Sequence, residues 1–154
     1  MKKIITSTLL SALLSVSAYS YDTNKAETFD KFYSNFTQKA CANSKLFIKA
    51  DDVMKMVVKK DNYLLLDVRT EGEHSVVSIS DKNSIYIPIK DLFKKENLSK
   101  LPKDKTIVVV CHSGTRATLA AIGLKQIGIL NTRVLKGGLV ALADANNPKN
   151  APIK

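Results

Sequence analysis

The residues Ile107-Val108-Val109-Val110 are apolar without interruption and run directly into Cys111-His112-Ser113-Gly114-Thr115-Arg116, which opens an Ala- and Leu-rich helical pattern. This order of buried strand, short polar loop and helix places a thiol among backbone N–H groups that lack intrahelical partners, at the positive end of the helix dipole. Such a position favours the thiolate. Gly114 lets the loop curl tightly enough for several N–H groups to converge on one anion, and Arg116 adds a permanent positive charge at its mouth. The expectation is a nucleophilic cysteine. A merely buried structural thiol is the alternative, but it requires neither a polar loop, nor a glycine, nor a terminal arginine.

A chain of 154 residues suffices for one domain with a real core and falls short of two ordinary ones. Its 45% hydrophobic and 25% charged residues exclude a globally disordered chain. Residues 1–18 stand apart. Lys2-Lys3 form a basic start, Ile4 to Val16 an apolar stretch diluted by Ser and Thr, and Ser17-Ala18 a small-residue end. This reads as a secretory signal cleaved after Ala18 or Ser20, which implies a periplasmic or secreted protein. The stretch is shorter than the ~20 apolar residues that span a bilayer, so no stable membrane anchor is expected.

Without Lys2 and Lys3, the count of Lys and Arg falls from 24 to 22 against 14 Asp and Glu, a net charge of about +8. The excess is mostly lysine spread along the chain. With three arginines and no Trp, sequence-specific nucleic-acid recognition is not indicated. A solvated basic surface that favours small anions fits better. Cys41 and Cys111 are the only cysteines, too few for a disulfide scaffold at this size. His74 and His112 fall at no ligand spacing with them, so no metal site is expected.

Along the chain, Phe29, Phe32, Tyr33, Phe36 and Ala40 recur at helical spacing and predict one amphipathic helix over Thr28 to Cys41, with Cys41 partly buried at the edge of the aromatic stripe. It forms an N-terminal extension over residues 19–45. Leu46 to Ile48 predicts a short strand, followed by a helix capped by Asp51 or Asp52 and carrying Val53, Met54 and Val57. Tyr63 to Leu66 is a continuous apolar run suited to a strand covered on both faces, and it delivers Asp67-Val68-Arg69 at its end. Further strands are predicted at Ile85 to Ile87, Ile107 to Val110 and Thr132 to Leu135. Short helices are predicted at Asp91 to Lys95 and Leu139 to Asp144, and a longer one over Ala117 to Ile127 whose internal Gly123 marks close packing on the sheet. Residues 145–154 form a tail. The alternation predicts an α/β domain over residues 46–144: a mainly parallel sheet with helices on both faces. In such sheets ligands bind outside the carboxyl ends of the strands, where Asp67, Arg69 and Cys111 fall.

At these residues the chain resembles the rhodanese family of sulfurtransferases. The resemblance rests on LLLDVRTEGE at Leu64 to Glu73, IYIPI at Ile85 to Ile89, VVCHSGTRA at Val109 to Ala117 and LKGGL at Leu135 to Leu139. It implies the three-layer rhodanese-like fold, Cys111 as the sulfur-accepting nucleophile, His112, Ser113, Gly114 and Thr115 as the substrate cradle, and Arg116 as its closing residue. Asp67 and Arg69 match a family pair, either as substrate contacts or as a buried salt bridge bracing the sheet end. Four residues separate Cys111 from Arg116, as in the family's sulfurtransferases, whereas related phosphatases place five there. Two departures concern the rim of the pocket. The family's Gly-His-Ile-Pro-Gly-Ala stretch has no counterpart in Val77 to Ser84, and Leu142 stands where a Trp is usual. His74 takes a place often aromatic in relatives, which favours packing.

The implied activity moves sulfane sulfur from a small anionic donor such as thiosulfate to a thiol or cyanide acceptor through a Cys111 persulfide, with no cofactor. A protein sulfur acceptor is a further partner of the same kind. Three rival readings use the same thiol: a phosphatase or arsenate reductase, a sulfur carrier without small-molecule turnover, and a thiol-disulfide protein that would need Cys41 near Cys111.

Overall fold

The structure, a computed structural model, describes residues 21–148. The expected signal sequence and most of the expected tail therefore lie outside the described residues. Two compact units divide the chain, Met1–Thr37 and Gln38–Lys154.

In the first unit, α1 (Thr23–Tyr33) is capped by Asp22, whose side chain accepts from the Lys25 N–H at 3.0 Å. The single helix expected over Thr28 to Cys41 is broken: α1 stops at Tyr33, and α2 (Gln38–Asn43) begins in the second unit. The cause is local. Ser34 Oγ and Asn35 Nδ2 both donate to the Lys31 carbonyl, at 3.1 and 3.4 Å, and so take up an acceptor of the last turn. The aromatic residues cluster across the break, with Phe32–Phe36 and Tyr33–Phe36 ring centroids 5.2 and 5.3 Å apart. Cys41, expected to be partly buried, is an exposed free thiol on α2.

The second unit is built on five parallel strands. They are β1 (Phe47–Ile48), β2 (Tyr63–Asp67), β3 (Ser84–Tyr86), β4 (Thr106–Val110) and β5 (Thr132–Leu135), in the spatial order β1-β5-β4-β2-β3. The connecting helices are α3 (Ala50–Lys59), α4 (Glu71–Val76), α5 (Lys95–Leu98), α6 (Thr115–Gln126) and α7 (Gly138–Ala145). The α/β architecture read from the sequence is the one observed. Because β2 and β4 are nearly apolar throughout, their side chains fill a core on each face. Leu66, Ile107 and Val109 pack with Ala117, Ala120, Ala121 and Leu124 of α6. Tyr63, Leu65, Val108 and Val110 pack on the other side with Val53 of α3 and Ala145 of α7. Alternation along one strand thus serves two helical layers.

The order of strands has a functional consequence. From β2 the chain steps outward to β3, whereas from β4 it steps the other way to β5, so the winding reverses between the central neighbours β2 and β4. Register pairs Asp67 with Val110, and the Val68 N–H donates to the Val110 carbonyl at 2.9 Å. The chain segments leaving these two strands, Val68-Arg69 and Cys111-His112, therefore emerge side by side at the switch point.

Several local details differ from the sequence reading. Lys49, in extended conformation, precedes α3 in place of an aspartate cap, and Asp51 and Asp52 fall inside its first turn, where their charge still complements the dipole. The turn over Asp91 to Lys94 precedes α5, so the short helix lies four residues later than expected. Gly123 makes its close approach to the Phe93 ring, which a Cβ would strike at 2.5 Å, and not to the sheet. Helix α4 was not anticipated, although Thr70-Glu71-Gly72-Glu73 is a capping box: Thr70 Oγ1 accepts from the Glu73 N–H and the Glu73 carboxylate accepts from the Thr70 N–H.

Candidate active site

Cys111 follows the last residue of β4 and is 1% exposed. Two backbone amides are directed at its sulfur, Gly114 N–H at 3.1 Å and Ala117 N–H at 3.4 Å. The turn that allows this uses Gly114 at φ +113°, a conformation that side chains with a Cβ rarely adopt, immediately before α6. The sulfur therefore rests against the N-terminal turn of a twelve-residue helix.

The first two peptide groups of the loop are held from behind by their carbonyls. Leu139 N–H donates to the Cys111 carbonyl at 2.7 Å and Val140 N–H to the His112 carbonyl at 3.4 Å. These donors are amides at the start of α7 that have no partner within the helix, so a helix terminus fixes the first two peptide groups of the loop. The approach is possible only without a side chain at Gly138: a Cβ there would overlap the carbonyls of Cys111 and His112, and the residue sits at φ +61°. The Lys136-Gly137-Gly138 turn thus packs as the backing of the loop.

The residues leaving β2 form the second wall. Asp67 and Arg69, 1% and 3% exposed, make a buried pair in which Arg69 Nε donates to Oδ1 at 2.9 Å and Nη2 to Oδ2 at 2.6 Å. Nη2 also donates to the Val77 carbonyl at 2.7 Å. Burial pushes the Asp67 carboxyl up, but the hydrogen bonds from Arg69 and His74 outweigh it and hold the group below its ordinary value. His74 Nδ1 lies 3.1 Å from Asp67 Oδ2 while its ring stacks on Tyr86, centroids 3.9 Å apart. Its place is thus one of packing and orientation. Of the two roles open to Asp67 and Arg69, this geometry is that of a brace joining β2 to the end of α4.

Arg116 is held in turn by Glu73. Its two terminal nitrogens donate to the two carboxylate oxygens, Nη1 to Oε2 at 2.5 Å and Nη2 to Oε1 at 2.6 Å. Arg116 and then Thr70 keep the Glu73 carboxyl well below the usual carboxylate range. Arg116 is raised mainly by Glu73, with Cys111 also favouring its charge. The same carboxylate closes the capping box of α4, so Glu73 links the helix start, the arginine and the cysteine loop.

The loop residues divide as follows. Gly114 contributes its amide to the sulfur, Arg116 its guanidinium to Glu73, and His112, Ser113 and Thr115 are exposed. Ala117 and Glu73 join the site without having been singled out in the sequence. The capping box was the available signal for Glu73; for Ala117, the donor is backbone and carries no side-chain signature. Cys41 and Cys111 are both free. Among the described residues, no group of three or more His, Cys, Asp or Glu is placed to hold a metal ion, and no helix is long and apolar enough to cross a membrane.

A single buried thiol in an amide-lined loop at the switch point of a parallel sheet defines an α/β protein of the cysteine-loop class. The chain belongs to the rhodanese-like domain family, whose pattern matches residues 49–145. It is 31% identical over 108 residues to a sulfurtransferase of Allochromatium vinosum, across 68% of this chain and 94% of that protein. A probable adenylyltransferase/sulfurtransferase, MoeZ of Mycobacterium tuberculosis, is 36% identical over 84 residues, which are 54% of this chain but only 21% of MoeZ. Among solved structures, a rhodanese-related protein from Thermoplasma volcanium is 34% identical, with a TM-score of 0.56, over 66% of this chain and 94% of that one. Sulfur transfer is the general chemistry this likeness supports.

Two outcomes follow from the geometry. Gly138→Ala should lower stability by about 2 kcal/mol or more in urea unfolding, because a left-handed φ and a backbone clash coincide there, whereas Gly72→Ala, with open space around it, should stay within about 0.5 kcal/mol. The second concerns acid. Both Asp67 and Glu73 are depressed in the folded state, so their stabilisation is complete above the unfolded values of about 3.9 and 4.3 and is lost as pH falls through the lower folded values. Stability measured against pH should therefore fall less steeply below about pH 4 in Glu73→Gln than in the parent.

Proposed function

We propose that the protein is a thiosulfate-type sulfurtransferase that works through a Cys111 persulfide. The observation that carries the reading is the pair of amides aimed at Cys111 Sγ within a loop of four residues closed by Arg116. The thiolate attacks the outer sulfur of thiosulfate, a new S–S bond forms at Cys111, and the bond to the sulfonate sulfur breaks as sulfite leaves with the electron pair. The Gly114 and Ala117 amides and the helix terminus stabilise negative charge on the reacting sulfurs. An acceptor thiolate or cyanide then takes the outer sulfur and returns Cys111 to the thiolate.

In this reading His112, Ser113 and Thr115 face the incoming donor, while Asp67, Arg69 and Arg116 hold the walls. Arg116 braces the loop and lends positive potential, since both its terminal nitrogens are engaged by Glu73. Export to the periplasm or the medium belongs to the same proposal and is supported by the basic start and apolar stretch of residues 1–18.

Intact mass measured after incubation with thiosulfate should show the gain of one sulfur atom in the parent and in Cys41→Ala, and none in Cys111→Ser. Sulfite release should match the gain. Hydrolysis of an aryl phosphate without sulfur loading would instead establish the phosphatase reading, and loss of loading in a folded Cys41→Ala protein would establish the thiol-disulfide one.

A further inference from the structure

A groove of about 620 Å³ ends on the cysteine loop, bounded there by His112, the residue after the nucleophile, and by Glu73, the carboxylate that holds Arg116. Its length is lined by Val76, Val77, Leu139, Val140 and Ala143. All three valines are presented to solvent, with exposures of 82% for Val76, 53% for Val77 and 56% for Val140. The charged side chains lining it are Arg69 and Glu73, and each is already neutralised, by Asp67 and by Arg116. The groove continues toward a second recess of about 370 Å³ that shares Val77, Leu139 and Ala143 and adds Met54 and Ile79.

Such a wall gains nothing from a small, strongly hydrated anion, which would lose water and find no unpaired cation. It favours a substrate with an apolar body, because about 0.8 kcal/mol is gained per methylene removed from water. The volume is that of a small-molecule site. Val77 borders both the groove and the recess, and Leu142 lines the recess, the two places where the chain departs from the pattern of the family it resembles.

We propose that this groove seats the sulfur acceptor, and that the acceptor is a low-molecular-weight organic thiol carrying an apolar alkyl or aryl group. The inference rests on the Cys111 persulfide reading and adds the substrate class. The acceptor thiolate attacks the outer sulfur of the Cys111 persulfide, R–S⁻ joining it as the Cys111 Sγ–S bond breaks. The electron pair of that bond returns to Sγ, the proton of the persulfide stays on the transferred sulfur, and the products are R–S–SH and Cys111 thiolate. No oxidant or reductant is consumed. Meanwhile the apolar group lies along Val76, Val77 and Val140, on the side of the loop away from the helix that cradles the sulfur.

The test loads the full chain with thiosulfate, verifies loading by mass, and follows discharge by cyanide and by a series from ethanethiol through butanethiol to hexanethiol. The expected result is a rise in the discharge rate constant per molar acceptor of roughly two- to fourfold for each methylene added. Val76→Glu and Val140→Glu should flatten that rise, and Val140→Thr, nearly isosteric, should reduce it in part while preserving the fold. A loaded protein that cyanide discharges but whose rate is indifferent to chain length would overturn the inference and leave the persulfide reading standing. So would discharge by reduced thioredoxin alone with every alkyl thiol inert. A protein that never loads would overturn both.

Discussion

Everything at the site depends on which way the peptide groups between Cys111 and Ala117 point. Carbonyl oxygens facing the sulfur would repel a thiolate, and amide hydrogens facing it stabilise one. The loop cannot settle this by itself, because Gly114 gives it freedom as well as curvature. Its first two peptide groups are fixed from behind by the amides of Leu139 and Val140, which hold the carbonyls of Cys111 and His112, and the start of α6 brings the Ala117 amide to the sulfur. The Leu139 and Val140 amides have no partner within their helix because they open α7, so a helix end that would otherwise need a cap is satisfied in building the site.

The second layer of restraint is ionic. Asp67 and Arg69 are buried together and gain their value from completeness: each hydrogen-bonds both the other and its surroundings, His74 for the aspartate and the Val77 carbonyl for the arginine. A buried pair of this kind contributes little net stability beside an apolar replacement, yet losing one partner strands the other at a cost of about 3–5 kcal/mol. Its effect here is to fix α4 against the end of β2. That fixes Glu73, which in turn fixes Arg116, so the cation at the loop mouth is positioned by a relay of pairs beginning at a buried strand end.

The groove beside the loop follows from what this framework leaves uncovered. Valine and leucine side chains from the end of α4 and the start of α7 line it, and the charges beside them are mutually paired. An exposed apolar strip next to a buried thiol costs solubility unless something occupies it. The same surface that would be a liability on a carrier of inorganic sulfur is suited to an organic acceptor.

Much of the architecture was legible because it is periodic. Apolar runs at Tyr63 to Leu66 and Ile107 to Val110 specify buried parallel strands, and the loop from Cys111 to Arg116 specifies where a thiol meets a helix terminus. The aromatic helix misled because Ser34 and Asn35 side chains compete for a backbone acceptor, a local effect that spacing does not register. Helix α4 was legible in principle through Thr70 and Glu73, but a six-residue helix carries too little periodicity to announce itself. Sequence alone thus determined the strands, their end residues and the place of the buried thiol, since these depend on residue type and near neighbours. Only the tertiary structure decided that Glu73 grips Arg116 across forty-three positions, that Arg69 turns inward to Asp67, and that Gly138 backs the cysteine. Those contacts join segments distant in the chain, and they exist because the parallel register brings the ends of β2, β4 and β5 to one edge of the sheet.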